Sequence, residues 1–363
     1  MTTETAPGTE NIGDVVRKEI ERTIQRSARG IDVLLNRDEP ETGLTPKDVI
    51  YSRGTLRLNH YHAMSDEVYR VPVVLVMSLI SKPYILDLTP GFSFVEYLLK
   101  NGFDVFMIDW GVPRPEDTKL KLEDYTQDFI PACIEKVQAA SGEKDASFIG
   151  YCMGGLLSLI YAGLHDETPM KNLVTIATPV DFEGMGLFKQ WSDKRWFDVD
   201  RIVDSLGNIP PELMYRSFEL LRPADRLVSY VRLWDNMWND MYVKQYRLMN
   251  KWTSDQIPFP GECFRQTTKD LMWENKLLKG ELEVGGETVD LKRITVPVLN
   301  AMAQHDHIAP YDATHKLTSL VGTPDEEKED VLLKGGHVSL VAGANAIMRL
   351  WPKVNEWLSV RSV

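Results

Sequence analysis

One cysteine in the chain has neighbours arranged for chemistry, in the run Phe148-Ile-Gly-Tyr-Cys152-Met-Gly-Gly-Leu156. The run reads as an apolar strand, a G-x-C-x-G-G turn and the start of a helix. This is the nucleophile-elbow pattern with cysteine in the place of serine. Gly150 and Gly154 permit a sharp turn and close backbone packing that a larger side chain would block. At the start of a helix the sulfur meets free N–H groups and the positive end of the dipole, and both favour a thiolate. The N–H of Met153 is then expected to form half of an oxyanion hole. A cysteine in an ordinary turn would be an inert apolar side chain. The combination of strand, glycines and helix is what points to a nucleophile.

An elbow needs a base and an acid to orient it, and in this arrangement the acid precedes the histidine in the chain. Asp306 follows the apolar run Val296–Ala303 and lies 306 − 152 = 154 positions beyond the cysteine. His337 follows Val331–Leu333 in Lys334-Gly-Gly-His337, 337 − 306 = 31 positions later. Both stand just past expected strand ends, where catalytic loops begin. Of the seven histidines, His60, His62, His165 and His315 have no such setting. The triplet His305-Asp306-His307 also admits a metal reading, but no further Cys, His or Glu cluster completes a site, so no metal and no cofactor is expected. His307 is read instead as a substrate-pocket residue. The second oxyanion donor should come from the loop Val76-Met-Ser-Leu-Ile-Ser-Lys-Pro-Tyr84, through a backbone N–H near Leu79 or Ile80.

The elements that would position these residues alternate. Val71–Met77, Asp104–Ile108, Ser147–Ile149 and Leu173–Ala177 are apolar, β-branched runs that read as buried strands. Phe92–Asn101, Thr126–Ala140 and Met153–Leu164 read as helices, so a mostly parallel sheet covered on both faces is expected. Thr55–Asn59 alternates apolar and polar residues and suggests an antiparallel edge strand. The rhythm breaks over 181–290, which is helical and irregular and holds six of the nine tryptophans. Such residues pack a core or line an apolar channel. Strand-like runs resume at Val296–Ala303 and Val331–Leu333, before a last helix from about Ala344 to Leu358. The expected division is a tail and amphipathic helix over 1–40, sheet domain over 41–180 and 291–363, and a helical cap over 181–290. Within the first part, residues 1–10 read as a disordered tail. Apolar positions from Ile12 to Leu35 recur at helical spacing, packing on the domain or docking a partner.

The formal net charge of −12 argues against non-specific nucleic-acid binding, which needs a basic face. Three cysteines in 363 residues make no disulfide framework and point to a reducing compartment. The first ten residues have no apolar core of a secretory leader, and the run Val71–Ile80 is too short to span a bilayer. A cytoplasmic protein without a transmembrane segment is expected.

Taken together, the residues resemble the polyhydroxyalkanoate synthases, enzymes of the α/β-hydrolase fold with a cysteine elbow. Beside Gly150-Tyr-Cys152-Met-Gly-Gly155, the segments Lys82-Pro-Tyr-Ile-Leu-Asp-Leu88, Phe106-Met-Ile-Asp-Trp-Gly111, Asp306-His-Ile-Ala-Pro310 and Gly335-Gly-His337 are similar to the family's motifs. So are Met249-Asn-Lys-Trp252 and Phe264-Arg-Gln266 within the insertion. Pro83 departs from the pattern, standing where many members carry an aromatic. The length and Gly-Gly-His look most like the short catalytic subunits of the two-component synthases. The resemblance implies an acyltransferase that polymerises (R)-3-hydroxyacyl-CoA, 3-hydroxybutyryl-CoA above all, with release of coenzyme A. It also implies a growing polyester chain held by the enzyme, a homodimer, a second synthase subunit and work at the surface of a polyester granule. Asp306 is expected to act through His337 or directly as the base for the incoming hydroxyl. A cysteine-dependent thioesterase or lactone hydrolase on the same triad, and a non-catalytic granule scaffold, are the alternatives.

Overall fold

The computed structural model describes residues 12–35 and 39–363, so the expected tail over 1–10 lies outside the described residues. The described residues form two compact units, 12–35 and 39–40 with 222–251, and 41–221 with 252–363. In the first, helix α1 (Ile12–Leu35) carries its own ion pairs, Arg26 with Glu19 at 2.8 Å among them. Arg22 also lies over the Trp238 ring, 5.3 Å from its centroid.

The second unit is built on an eight-stranded sheet. Its strands are β1 (Lys47–Arg53), β2 (Leu56–Tyr61), β3 (Val73–Val76), β4 (Val105–Asp109), β5 (Ala146–Tyr151) and β6 (Met170–Ile176), then β9 (Val298–Ala303) and β10 (Lys328–Leu333). A separate two-stranded ribbon, β7 (Glu283–Val284) with β8 (Glu287–Thr288), lies between them in sequence. The spatial order is β1-β2-β4-β3-β5-β6-β9-β10. β1 and β2 pair antiparallel, as do β2 and β4, and all other neighbours in the sheet are parallel. The central strands β3, β5 and β9 are buried along their whole length, which is why their sequences are continuous apolar runs without alternation.

The strand expected over Thr55–Asn59 forms and is antiparallel, but it is not the edge. Lys47-Asp-Val-Ile-Tyr-Ser-Arg53 pairs outside it across a tight turn at Gly54, which adopts φ 60°. This outer strand is exposed or half-buried throughout, so it carries little apolar signal.

Three helices matter for the site. α2 (Phe94–Lys100) and α3 (Ile130–Ser141) cover the sheet, and α4 (Met153–Leu164) is buried along its entire length. A helix apolar on every side belongs in a core. The chain between β6 and β9 is mainly helical. Its root is tied down at Asp181, which accepts from Asn275 Nδ2 at 2.8 Å and pairs with Lys316 Nζ at 2.5 Å. Asn275 Oδ1 in turn accepts from the Phe182 N–H at 2.9 Å, so both ends of this stretch are joined to each other and to the domain.

A polar relay that starts in the core at Thr175 and Asn300 and ends at the exposed Asp330 aligns the strands that lead to the site. Thr175 Oγ1 on β6 donates to Asn300 Oδ1 on β9 at 3.1 Å, and Asn300 Nδ2 donates to Asp330 Oδ1 on β10 at 2.9 Å. Between the buried Thr175 and Asn300 such a bond specifies one register, because a slip would leave both unpaired in the core. Among the described residues no helix is long and apolar enough to cross a membrane.

Candidate active site

The elbow is set by three strands and one helix. Cys152 follows β5 and precedes α4, and its backbone stands at φ 55° and ψ −118°. A non-glycine residue at positive φ carries strain on the order of 1–3 kcal/mol, and the surrounding contacts must hold it there. They are visible. The Cys152 N–H donates to the Ile176 carbonyl at 2.8 Å, and Thr178 Oγ1 reaches the Cys152 carbonyl at 3.4 Å. The elbow glycines are obligatory because the backbone is packed against other backbone. A Cβ on Gly154 would sit 1.9 Å from the Val76 carbonyl oxygen, and one on Gly150 would sit 2.4 Å from the Gly155 Cα. Gly154→Ala is therefore expected to destabilise the fold by about 3 kcal/mol or more, since neither neighbour is a flexible side-chain tip. Chemical denaturation checks this, and a midpoint equal to the native one would contradict it.

The acid and the base arrive together through the ladder of β9 and β10. Ala303 pairs with Leu333 at its end, and the pairing continues into the loops. Gln304 N–H donates to the Leu333 carbonyl at 2.9 Å and His305 N–H to the Gly335 carbonyl at 2.8 Å. Asp306 and His337 are thereby brought side by side, and His337 Nδ1 donates to Asp306 Oδ2 at 2.7 Å. The other carboxylate oxygen accepts from the N–H groups of Ile308 at 2.8 Å and Ala309 at 2.9 Å. Asp306 is thus held by three bonds, all suited to its ionised form.

Cys152, Asp306 and His337 are 7 %, 5 % and 7 % exposed, so their charges act on one another through little water. Burial by itself works against a charged His337. Asp306 and Cys152 together outweigh it, and the imidazole is raised to about 10. With Nδ1 taken by Asp306, Nε2 is left for the sulfur. The Tyr151 ring packs beside the imidazole, with centroids 5.1 Å apart and planes at 41°. The other two cysteines have no such partners. Burial pushes the Cys133 thiol up to about 12 and raises Cys263 further, which leaves both poor nucleophiles.

The remaining sequence candidates are more loosely engaged. Met153 is the first residue of α4, so its N–H has no intrahelical acceptor. Ile80 is half-buried in the turn after β3, the loop that packs against Gly154 through the Val76 and Met77 carbonyls. His307 is exposed on the loop beyond Asp306. Among the described residues no group of three or more His, Cys, Asp or Glu side chains could hold a metal ion. From the sequence, Trp110 and Tyr151 stood only within family-like segments, with no role of their own, and Thr178 was not singled out. Trp110 Nε1 donates to the Met77 carbonyl at 2.8 Å and so pins the loop that faces the elbow. Its place at the end of β4, next to a glycine, was the available signal.

Comparison with known proteins agrees with this architecture. Residues 83–344 match the α/β-hydrolase fold family, and residues 40–98 match the N-terminus of poly-β-hydroxybutyrate polymerase (PhaC). Among solved structures, a putative lipase from Sulfolobus solfataricus aligns with a TM-score of 0.54 at 18% identity, over 88% of this chain and 99% of its own. The monoacylglycerol lipase of Paleococcus ferrophilus gives 0.52 at 18%, over 84% and 99%. These likenesses concern the fold alone. The poly(3-hydroxyalkanoate) polymerase subunit PhaC of Allochromatium vinosum is 36% identical over 93% of this chain and 95% of its own length. That of Thiocystis violacea is 34% identical over 96% and 98%, and that of Haloferax mediterranei 36% over 96% and 71%. With the cysteine elbow on this sheet and relatives of this similarity along the whole length, the chain belongs to the PhaC family of poly(3-hydroxyalkanoate) polymerases, on the α/β-hydrolase fold.

Proposed function

We propose that this chain polymerises 3-hydroxyacyl groups from coenzyme A thioesters, 3-hydroxybutyryl-CoA first among them, through an acyl-enzyme on Cys152. The observation that carries the reading is the buried set of Asp306, His337 and Cys152, with His337 bonded to Asp306 at 2.7 Å, raised by both neighbours, and the sulfur standing at an elbow. His337 takes the thiol proton, and the resulting thiolate attacks the thioester carbonyl. The carbonyl electron pair moves to oxygen, where the Met153 N–H and the loop at Ile80 are proposed to hold it. Collapse expels coenzyme A as a thiolate, which takes the proton back from His337. His337, now neutral, removes the proton of an incoming 3-hydroxyl as that oxygen attacks the acyl-cysteine. The ester forms as the carbon–sulfur bond to Cys152 breaks, and the departing thiolate takes the proton back from His337. Asp306 keeps the imidazole in the required tautomer and stabilises its charged form. A direct role of Asp306 on the hydroxyl is less favoured, since both of its oxygens are already engaged.

Cysteine suits the task. Exchange of one thioester for another is nearly balanced in energy, and the acyl-cysteine stays activated toward an alcohol. Water must be kept out, and the three residues are nearly inaccessible. His307, exposed beside Asp306, is proposed to meet the acyl-CoA at the mouth of the site. The word subunit in the relatives' names supports a second synthase subunit. A homodimer working in the cytoplasm, at the surface of the polyester granule, is part of the same proposal. The exposed Val16, Ile20 and Ile24 of α1 offer that subunit an apolar stripe.

The test is incubation of the full chain with 3-hydroxybutyryl-CoA, alone and with a co-expressed second subunit, with free coenzyme A and product size both followed. Coenzyme A release together with high-mass polyester is expected. Release of 3-hydroxybutyrate as free acid, with no polymer in either sample, would replace the reading with that of a thioesterase.

A further inference from the structure

Buried hydroxyl groups in this core usually have partners. Ser93 Oγ donates to Asp87 Oδ1 at 2.7 Å, Ser158 Oγ to the Gly154 carbonyl at 2.8 Å, and Ser147 Oγ accepts from Asn172 Nδ2 at 2.8 Å. Ser78 departs from this. It is 2 % exposed, and its Oγ has no hydrogen-bond partner among the described residues. A buried hydroxyl left unpaired lowers stability, so its position calls for a reason other than folding.

The position is informative. β3 and β5 are parallel neighbours with Val76 level with Gly150. Ser78 follows the last paired residue of β3 by two positions, as Cys152 follows Gly150, so extending the register past the ladder would bring the two to the same level. The peptide just before Ser78 packs on the first turn of α4, since a Cβ on Gly154 would lie 2.7 Å from the Met77 carbonyl oxygen. Trp110 Nε1 also donates to that carbonyl, so the segment leading to Ser78 is fixed. An unpaired hydroxyl therefore lies beyond the end of β3 beside the elbow, on the loop that the proposed mechanism assigns to the oxyanion.

We propose that Ser78 is a further catalytic residue whose Oγ–H donates to the thioester oxygen as negative charge develops on it. The inference rests on the acyl-transfer reading above and adds a side-chain donor to the two backbone ones. No proton is transferred by Ser78. As the Cys152 sulfur bonds to the carbonyl carbon, the oxygen gains the π electron pair and accepts the Ser78 hydrogen bond. When the carbon–sulfur bond to coenzyme A breaks, the carbonyl re-forms and the hydroxyl is released. A donor kept unpaired in the resting enzyme gains its bond in the transition state without first losing another, which is what preorganised electrostatic catalysis requires.

Ser78→Ala tests this in single-turnover mixing of the full chain with 3-hydroxybutyryl-CoA, with coenzyme A release measured after rapid quenching. The rate is expected to fall by about ten- to a hundredfold, with half-saturation changed less than about threefold. The thermal midpoint should stay equal or rise, because no native bond is lost. Ser362→Ala serves as control, since its Oγ is also buried and unpaired, near Val71, two residues before β3. It should match the Ser78 variant in stability and leave the rate unchanged. A Ser78→Ala rate within twofold of native, or a rate that falls together with the midpoint, overturns the proposal. If the native chain itself releases no coenzyme A, the acyl-transfer reading fails and the inference with it; an active native chain with an indifferent Ser78 sinks the inference alone.

Discussion

Cys152→Ala should retain the fold of the native chain while coenzyme A release and polymer formation fall by about 10⁵-fold, to the background of the assay. In the proposed mechanism the sulfur forms the covalent intermediate, and the alanine methyl has nothing to put in its place. Cys133 and Cys263 are buried and pushed to high pKa, so neither can take over. The fold should tolerate the change, because Cys152 is held by its backbone: its N–H is bonded to Ile176 and its carbonyl accepts from Thr178. Alanine at φ 55° carries strain similar to that of cysteine, so thermal midpoints should agree within a few degrees. Polymer made at native rate by this variant would remove the acyl-cysteine from the mechanism.

Asp306→Asn is expected to cost about 10³- to 10⁴-fold in turnover with little change in fold. Asparagine fills the same space but presents no charge to Nδ1 of His337, and the imidazole loses the partner that fixes its tautomer. The same variant carries a pH signature whose sign follows from the raised pKa. His337 titrates near 6.5 when unfolded and about 10 when folded, so proton binding favours the native state. That contribution is complete below about pH 6.5 and is lost as the pH rises through 10. In Asp306→Asn the burial of the ring dominates, the raised pKa collapses and the contribution disappears. The stability gap between native and variant, measured by denaturant unfolding from pH 6 to pH 10.5, should therefore narrow steadily. A gap that widens with pH would show that Asp306 is not the group holding the His337 proton.

Much of the site was legible in the residue order because its parts are locally coded. The elbow is a contiguous stretch in which glycines, an apolar strand and an apolar helix each have one physical reading, and α4 runs over Met153–Leu164 as the pattern predicts. Asp306 and His337 were legible by position, each a few residues past a strand that the apolar runs reveal. The outer strand Lys47–Arg53 and the ribbon of Glu283–Val284 with Glu287–Thr288 were not, because strands that bury little carry little apolar pattern.

By itself the amino-acid order determined the chemistry on offer: a thiol at a turn, an acid and a base in sequence after it, and a core large enough to hold a parallel sheet. Only the tertiary structure decided which groups meet. The 2.7 Å bond between His337 and Asp306 depends on β9 and β10 pairing in one register, and the Ser78 hydroxyl owes its place to the pairing of β3 with β5. Such contacts join residues tens to hundreds of positions apart. Their geometry depends on strand order and on the packing of backbone against glycine, neither of which leaves a periodic trace in the chain.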